Sequence, residues 1–213
     1  MWDLAKTYWR FESELNRVEQ SFDELLNARS GTNSRELEPA FEGCLVYTLD
    51  VWGRYVRALV ICSSWRRVRS LAGQDYGPPP FNSKQLVFDH LDANRNQIAN
   101  FSHKQPSWHL QNSAIDAINV LSPPNKGALT GALGASVTSS PINPWLTTPL
   151  SDLHRIRNFV CHRGLHAGVR VKPVLNAADV TGPVEWMCKK VNEAPLFREL
   201  IVSLRSQAAA MAQ

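Results

Sequence analysis

The stretch "LAKTYWRFESELNRVEQSFDELL", residues 4–26, decides the fold class of this 213-residue chain. Its apolar residues recur at alternating steps of four and three: Leu4, Tyr8, Phe11, Leu15, Val18, Phe22 and Leu25. This spacing places one apolar stripe along a helix, and about three heptads of it indicate packing against a similar helix. We therefore predict a long first helix.

A second seam of the same kind follows after the turn-rich segment RSGTNS at 29–34. It consists of Phe41, Leu45, Leu49, Trp52, Val56 and Leu59. We expect its helix to begin near Ser34–Pro39, where proline is tolerated in the first turn, and to run to about Leu71. Two long antiparallel helices form the spine of a bundle, so the predicted fold class is an all-α helical bundle.

The rest of the chain extends this plan as one helical domain over residues 1–213. Ser83 is expected to cap a third helix, Thr148 with Pro149 to begin a later one, and Pro183 and Pro195 to open two short C-terminal helices. The segment GVRVKPVL at 168–175 favours one short extended segment.

Residues 122–149 are the least regular part of the chain, and we interpret them as a loop insertion. The segment GALTGALG within them resembles a phosphate loop, but it lacks the GKS or GKT ending and follows no clear strand. A short Gly/Ala-rich helix or a loop is the simpler interpretation.

Composition indicates a cytoplasmic protein with a mild affinity for polyanions. The net charge is +4, and 16 Arg stand against 7 Lys, which favours phosphate contacts but also fits a GC-rich genome. The four cysteines form no CxxC pair, as expected in a reducing compartment. Since neither a signal peptide nor an apolar run of membrane-spanning length is found, we expect no membrane association.

Several smaller patterns allow two interpretations. The basic residues Arg66, Arg67 and Arg69 either complement the dipole at the end of the second helix or form an RNA-contacting patch. His162 and His166 have a zinc-like spacing, but no carboxylate or cysteine partner stands at a suitable distance, so we expect neither a metal nor a cofactor. Cys161 and His162 are adjacent and therefore point apart on a helix, which disfavours a thiol nucleophile.

The most informative segment is "IRNFVCHRG" at 156–164. At 100° per residue, Ile156 and Val160 belong to an apolar stripe, whereas Asn158 and His162 lie about 40° apart on the opposite side. Arg157 lies about 140° from His162, too far around the helix for a local ion pair. Composition alone predicts about 0.45 chance occurrences of R-x4-H, so the spacing needs support from its context.

That context resembles the HEPN-domain ribonucleases. The sequence Arg157-Asn158-Phe159-Val160-Cys161-His162 is similar to their R-x4-H motif with a polar residue after the Arg, late in an all-α chain. One subgroup, paired with nucleotidyltransferase antitoxins, adds a Tyr two positions after the His. Gly164 stands there in this chain, so we do not assign it to that subgroup.

The resemblance implies a metal-independent endoribonuclease that acts as a homodimer with a composite site, as a toxin or anti-phage defence effector with an antitoxin or defence-system partner. Arg157, Asn158 and His162 are its candidate catalytic residues, and RNA is the expected substrate. His154, Arg155 and Arg163 join Arg66, Arg67 and Arg69 as candidate RNA-binding residues. Two alternatives stay open: an inactive HEPN-like module for dimerisation or partner binding, and an unrelated helical protein in which Arg157 is a structural ion-pairing residue.

Overall fold

The computed structural model describes residues 1–29, 34–135, 149–191 and 193–213. These residues are mostly helical, which confirms the predicted all-α class with two long N-terminal helices. The first seam lies on α1 (Leu4–Arg29) and the second on α2 (Ser34–Trp65), which has 32 residues. Most of the RSGTNS segment falls outside the described residues.

The second helix ends at Trp65, six residues before the predicted end at Leu71. The chain leaves the helix because Val68–Arg69 forms β2, which pairs in parallel with β1 (Trp2–Asp3). The Trp2 amide donates to the carbonyl of Arg67 at 2.7 Å. The last turn of α2 contains no basic residue, and Arg66 follows directly after it, where its amide donates to the Cys62 carbonyl at 2.9 Å.

The middle of the chain forms shorter elements, and the predicted cap at Ser83 is confirmed. Its Oγ accepts a hydrogen bond from the Leu86 amide at 3.3 Å. The elements are α3 (Lys84–Ala93), a 3-10 turn (Arg95–Gln97), the hairpin of β3 (Phe101–Ser102) and β4 (Gln105–Pro106), α4 (Gln111–Leu121) and α5 (Lys126–Ala135). Part of the loop insertion predicted at 122–149 is therefore helical, and residues 136–148 lie outside the described residues.

The C-terminal part contains four helices and one short hairpin. They are α6 (Pro149–His162), α7 (Leu165–Ala177), α8 (Pro183–Cys188), the hairpin of β5 (Lys190–Val191) and β6 (Ala194–Pro195), and α9 (Leu196–Met211). Pro149 and Pro183 begin helices as predicted. The helix after Pro195 has 16 residues and is not short.

The extended segment predicted at 168–175 is wrong, because these residues belong to α7. The alternating valines resemble a strand, but burial follows the helical period. Val171, Val174 and Leu175 are buried, whereas Val169 is 65% exposed. Pro173 lies inside the helix and does not end it.

The chain divides into two compact units. Unit 1 comprises Met1–Glu12, Trp52–Ser136 and Arg205–Gln213. In its core the Phe11 ring of α1 stacks on Tyr55 of α2 at 4.5 Å, and the Tyr55 hydroxyl donates to the Ala208 carbonyl of α9 at 2.7 Å. Three sequence-distant helices are thus joined by one buried tyrosine.

Unit 2 comprises Ser13–Val51 and Val137–Leu204. Its core includes Phe22 of α1, which lies 5.5 Å from Phe41 of α2 and 4.6 Å from Phe197 of α9, measured between ring centroids. Leu153 and Ile156 of α6 are fully buried in this unit. The helix that carries the RNFVCH motif is therefore anchored by its apolar face. Within the described ranges, no helix combines the length and apolarity that a membrane span requires.

Candidate active site

The candidate site lies on the last two turns of α6, in unit 2. Ile156 points into the core, so its neighbours Arg157 and Asn158 emerge half-buried at the edge of the packed face. His162 is the final residue of the helix and is exposed. The sequence thus places a half-buried guanidinium and a solvent-exposed imidazole on the same helix.

Asn158 connects its neighbours by hydrogen bonds. Its side-chain Nδ2 lies 2.8 Å from Nε2 of His154, one turn earlier, and its Oδ1 accepts from Nη1 of Arg157 at 3.3 Å. Because the Asn158 amide contacts both His154 and Arg157, it restrains the orientation of the Arg157 side chain. His154 therefore belongs to the same polar network.

The acidic partner of Arg157 is Asp50 of α2, and their contact is loose. Nη2 of Arg157 lies 3.9 Å from Oδ1 of Asp50, and the side chains are 29% and 55% exposed. A pair at this distance and exposure contributes little to stability. The guanidinium therefore keeps donors available for an oxyanion.

Arg163 differs from Arg157, because it makes a close ion pair. Its Nη2 lies 2.5 Å from both carboxylate oxygens of Glu42, whose side chain is only 9% exposed. The guanidinium also lies over the Phe159 ring, 5.3 Å from its centroid. Arg163 directly follows α6 and has a left-handed φ of +46°. Its ion pair with Glu42 connects the end of α6 to α2.

Glu42 and Asp50 are site residues that sequence reasoning missed. Glu42 immediately follows the seam residue Phe41 and is 6% exposed. A carboxylate on the apolar side of a helix usually has a cationic partner, which is the signal that points to it. Asp50 is exposed on α2 and has no comparable signal in the sequence.

The structure places the other predicted basic residues in different settings. Nη1 of Arg155 lies 2.7 Å from Oδ1 of Asp152, and Nε of Arg69 lies 2.6 Å from Oδ1 of Asp75. The hydrogen bond from Arg69 lowers the pKa of Asp75. Arg66, Arg67 and Arg69 belong to unit 1, whereas the motif belongs to unit 2.

His166 lies on α7 and is exposed, as His162 is on α6. Among the residues that the structure describes, no group of three or more His, Cys, Asp or Glu side chains is arranged to hold a metal ion. The zinc-like spacing of these two histidines thus has no third ligand within the described ranges.

Comparison of this chain with protein-family models, with curated proteins and with solved structures gives no match.

Proposed function

We propose that this protein is a metal-independent endoribonuclease of the HEPN type. The observation that carries the proposal is the combination on α6 of an exposed His162 with an Arg157 that lies 3.9 Å from the exposed carboxylate of Asp50. These are a proton-transfer group and an anion-stabilising group, and RNA cleavage needs both.

RNA supplies its own nucleophile, the 2′-hydroxyl beside the scissile phosphate. In the proposed reaction the 2′ oxygen attacks phosphorus as its proton passes to a base. The bond to the 5′ oxygen breaks, and that oxygen leaves with a proton. The products are a 2′,3′-cyclic phosphate and a 5′-hydroxyl.

His162 is suited to the proton transfers, since an imidazole can both accept and donate a proton and this ring is exposed to solvent. Arg157 would stabilise the additional negative charge on the phosphoryl oxygens. Asn158 acts as a positioning residue, because its Oδ1 accepts from the Arg157 guanidinium.

Within one helix, Arg157 and His162 are held apart. In a homodimer, two copies of the motif bring an Arg157 and a His162 to the same cleft. Arg157 and His162 lie about 140° apart around an ideal helix axis. A second chain brings a second Arg157 and His162 to the same cleft, so that a phosphate can meet both groups. As a toxin or anti-phage defence effector, such an enzyme requires a partner protein that restrains it.

The test compares the cleavage rates of wild type, Arg157→Ala and His162→Ala on RNA in EDTA. We expect each substitution to lower the rate at least about 100-fold, the scale of losing a general acid–base or an oxyanion donor. Arg170→Ala and His166→Ala are matched controls, because both side chains are exposed on α7. Equal, background-level degradation by all five proteins would refute the proposal and leave an inactive dimerisation or partner-binding module.

A further inference from the structure

Unit 1 contains a cleft of about 610 Å³ whose lining is strongly basic. Five of its lining residues carry positive charge: Arg10, Arg54, Arg57, Arg66 and Lys84. Among the described residues that line it, none is Asp or Glu. The cleft thus concentrates five cations, although the net charge of the whole chain is only +4. Such a cleft focuses a positive potential that attracts anions.

Aromatic rings lie beside these cations. The guanidinium carbon of Arg66 is 4.1 Å from the ring centroid of Trp65 and 5.0 Å from that of Trp2. The guanidinium carbon of Arg57 and Nζ of Lys84 lie 5.6 Å and 5.7 Å from the Phe88 centroid. Cation–π contacts hold the charged groups near flat apolar surfaces, on which a planar ring can stack.

Two polar atoms of the lining are buried without a hydrogen-bond partner among the described residues: Nε of Arg57 and Nε1 of Trp65. Buried donors are normally satisfied, and these two have no acceptor among the described residues. Because both atoms are covered, a bound anion reaches them only if the Arg57 or Trp65 side chain shifts. The charges of the cleft also act on a neighbouring thiol. Burial raises the pKa of the Cys62 thiol in the same lining, while the charges of Arg66 and Lys84 partly offset that rise.

We propose that this cleft binds a nucleoside di- or triphosphate, its phosphates on the cations and its base on the aromatic rings. Arginine side chains offer forked donors to phosphate oxygens, which explains several arginines around one cleft. Its volume lies in the range of sites for single small molecules. A nucleic-acid strand would instead require a groove that follows the backbone over several nucleotides. This site is separate from the motif on α6 and goes beyond the ribonuclease proposal.

Isothermal titration calorimetry on the full chain in EDTA tests this assignment, with ATP and GTP as probes. Adenosine, inorganic tripolyphosphate and a single-stranded 2′-O-methyl RNA octamer, which lacks the 2′-hydroxyl needed for cleavage, form the comparison arms. We expect one saturable site for ATP or GTP. Adenosine lacks the phosphates and tripolyphosphate lacks the base, so each should bind at least about tenfold more weakly.

The informative substitutions are Arg66→Gln and Lys84→Gln, since both side chains are exposed and their loss leaves the core intact. Each should weaken nucleotide binding about tenfold, because a charge-assisted contact is lost. Phe88→Leu should weaken ATP or GTP more than tripolyphosphate, because the ring both stacks on the base and lies against Arg57 and Lys84. Arg95→Gln is the matched control, an exposed arginine of unit 1 outside the cleft, and should bind like wild type. Thermal melts verify that all variants fold.

Any one of four results would overturn the assignment. The first is the absence of saturable ATP and GTP binding to folded wild type. The second is unchanged affinity in both Arg66→Gln and Lys84→Gln. The third is binding of the RNA octamer, lost in these variants, without binding of either mononucleotide; the cleft would then be a nucleic-acid surface. The fourth is tripolyphosphate that binds as tightly as ATP, which would remove the base from the ligand. None of these results depends on RNA cleavage.

Discussion

Arg157 and Arg163 lie six residues apart at the end of α6, and their acidic partners distinguish their roles. Arg163 contacts the buried carboxylate of Glu42 at 2.5 Å, whereas Arg157 lies 3.9 Å from the exposed carboxylate of Asp50. A buried carboxylate depends on its cationic partner far more than an exposed one does. We therefore assign Arg163 to stability and keep Arg157 for the proposed chemistry.

This assignment predicts that Arg163→Ala destabilises the fold. The substitution leaves Glu42 buried without its ion-pair partner, and because Arg163 itself is half-exposed we expect a loss of about 1–3 kcal/mol in the free energy of unfolding. Urea denaturation measures it. Arg170→Ala, an exposed arginine of α7, is the control, and a change no larger than the control's would contradict the structural role of Arg163.

Asn158 offers a second prediction at the scale of a residue. Its Oδ1 accepts from Arg157, so Asn158→Ala should release the guanidinium and lower kcat about 10–100-fold with little change in KM. Steady-state cleavage kinetics measure both constants. If kcat/KM fell by the same factor only because KM rose, Asn158 would bind RNA and would not position Arg157. Because a smaller folded fraction would also lower the apparent kcat, both rates are normalised to the folded protein measured in thermal melts.

At the scale of elements, the long helices were predictable because their signal is local and repeated. The seam of α1 continues for about three heptads, and the cap of α3 needs only Ser83 and the amide three residues later. The end of α2 was not predictable in this way. It is set by the pairing of Val68–Arg69 with Trp2–Asp3, a contact between residues 66 positions apart.

For helix α7 the local sequence pattern predicts the wrong element. Pro173 and the alternating valines favour an extended strand, but burial of Val171, Val174 and Leu175 stabilises a helix that includes the proline. Tertiary packing therefore outweighs the local preference.

The same helix gives a prediction about stability. Pro173 has no amide hydrogen for the helical ladder, so Pro173→Ala should raise the free energy of unfolding by about 1–3 kcal/mol. Chemical denaturation measures the change. Pro183→Ala is the contrasting variant: a proline in the first turn of α8 removes no helical bond and its ring is buried, so this substitution should not raise stability. A destabilised Pro173→Ala variant would contradict this prediction, since the exposed proline ring makes no buried packing that the substitution could remove.

At the scale of the whole molecule, the two candidate sites differ in how far the sequence predicts them. The motif on α6 is six consecutive residues, so a resemblance could identify it. The basic cleft of unit 1 combines residues of β1, α1, α2 and α3, which lie far apart in the chain. Of its five cations only Arg66 is predictable from the sequence, because it stands in a visible basic run.

The proposed composite site also predicts how activity depends on protein concentration. If two chains supply one cleft, specific activity per chain should fall on dilution below the dissociation constant of the dimer. Sedimentation measurements over the same concentrations should show the dimer converting to monomer in parallel. Constant specific activity across a measured dimer-to-monomer transition would contradict the composite site without contradicting cleavage by one chain.

The ribonuclease proposal is tested most directly by the chemistry of the RNA ends produced in EDTA. Wild type should leave 2′,3′-cyclic phosphates and 5′-hydroxyls, and an RNA with one 2′-deoxynucleotide at the cleaved position should stay intact there. His162→Ala should produce these ends at background level, while His166→Ala should match wild type. The ribonuclease proposal is contradicted if folded wild type gives no cyclic phosphate above the His162→Ala background.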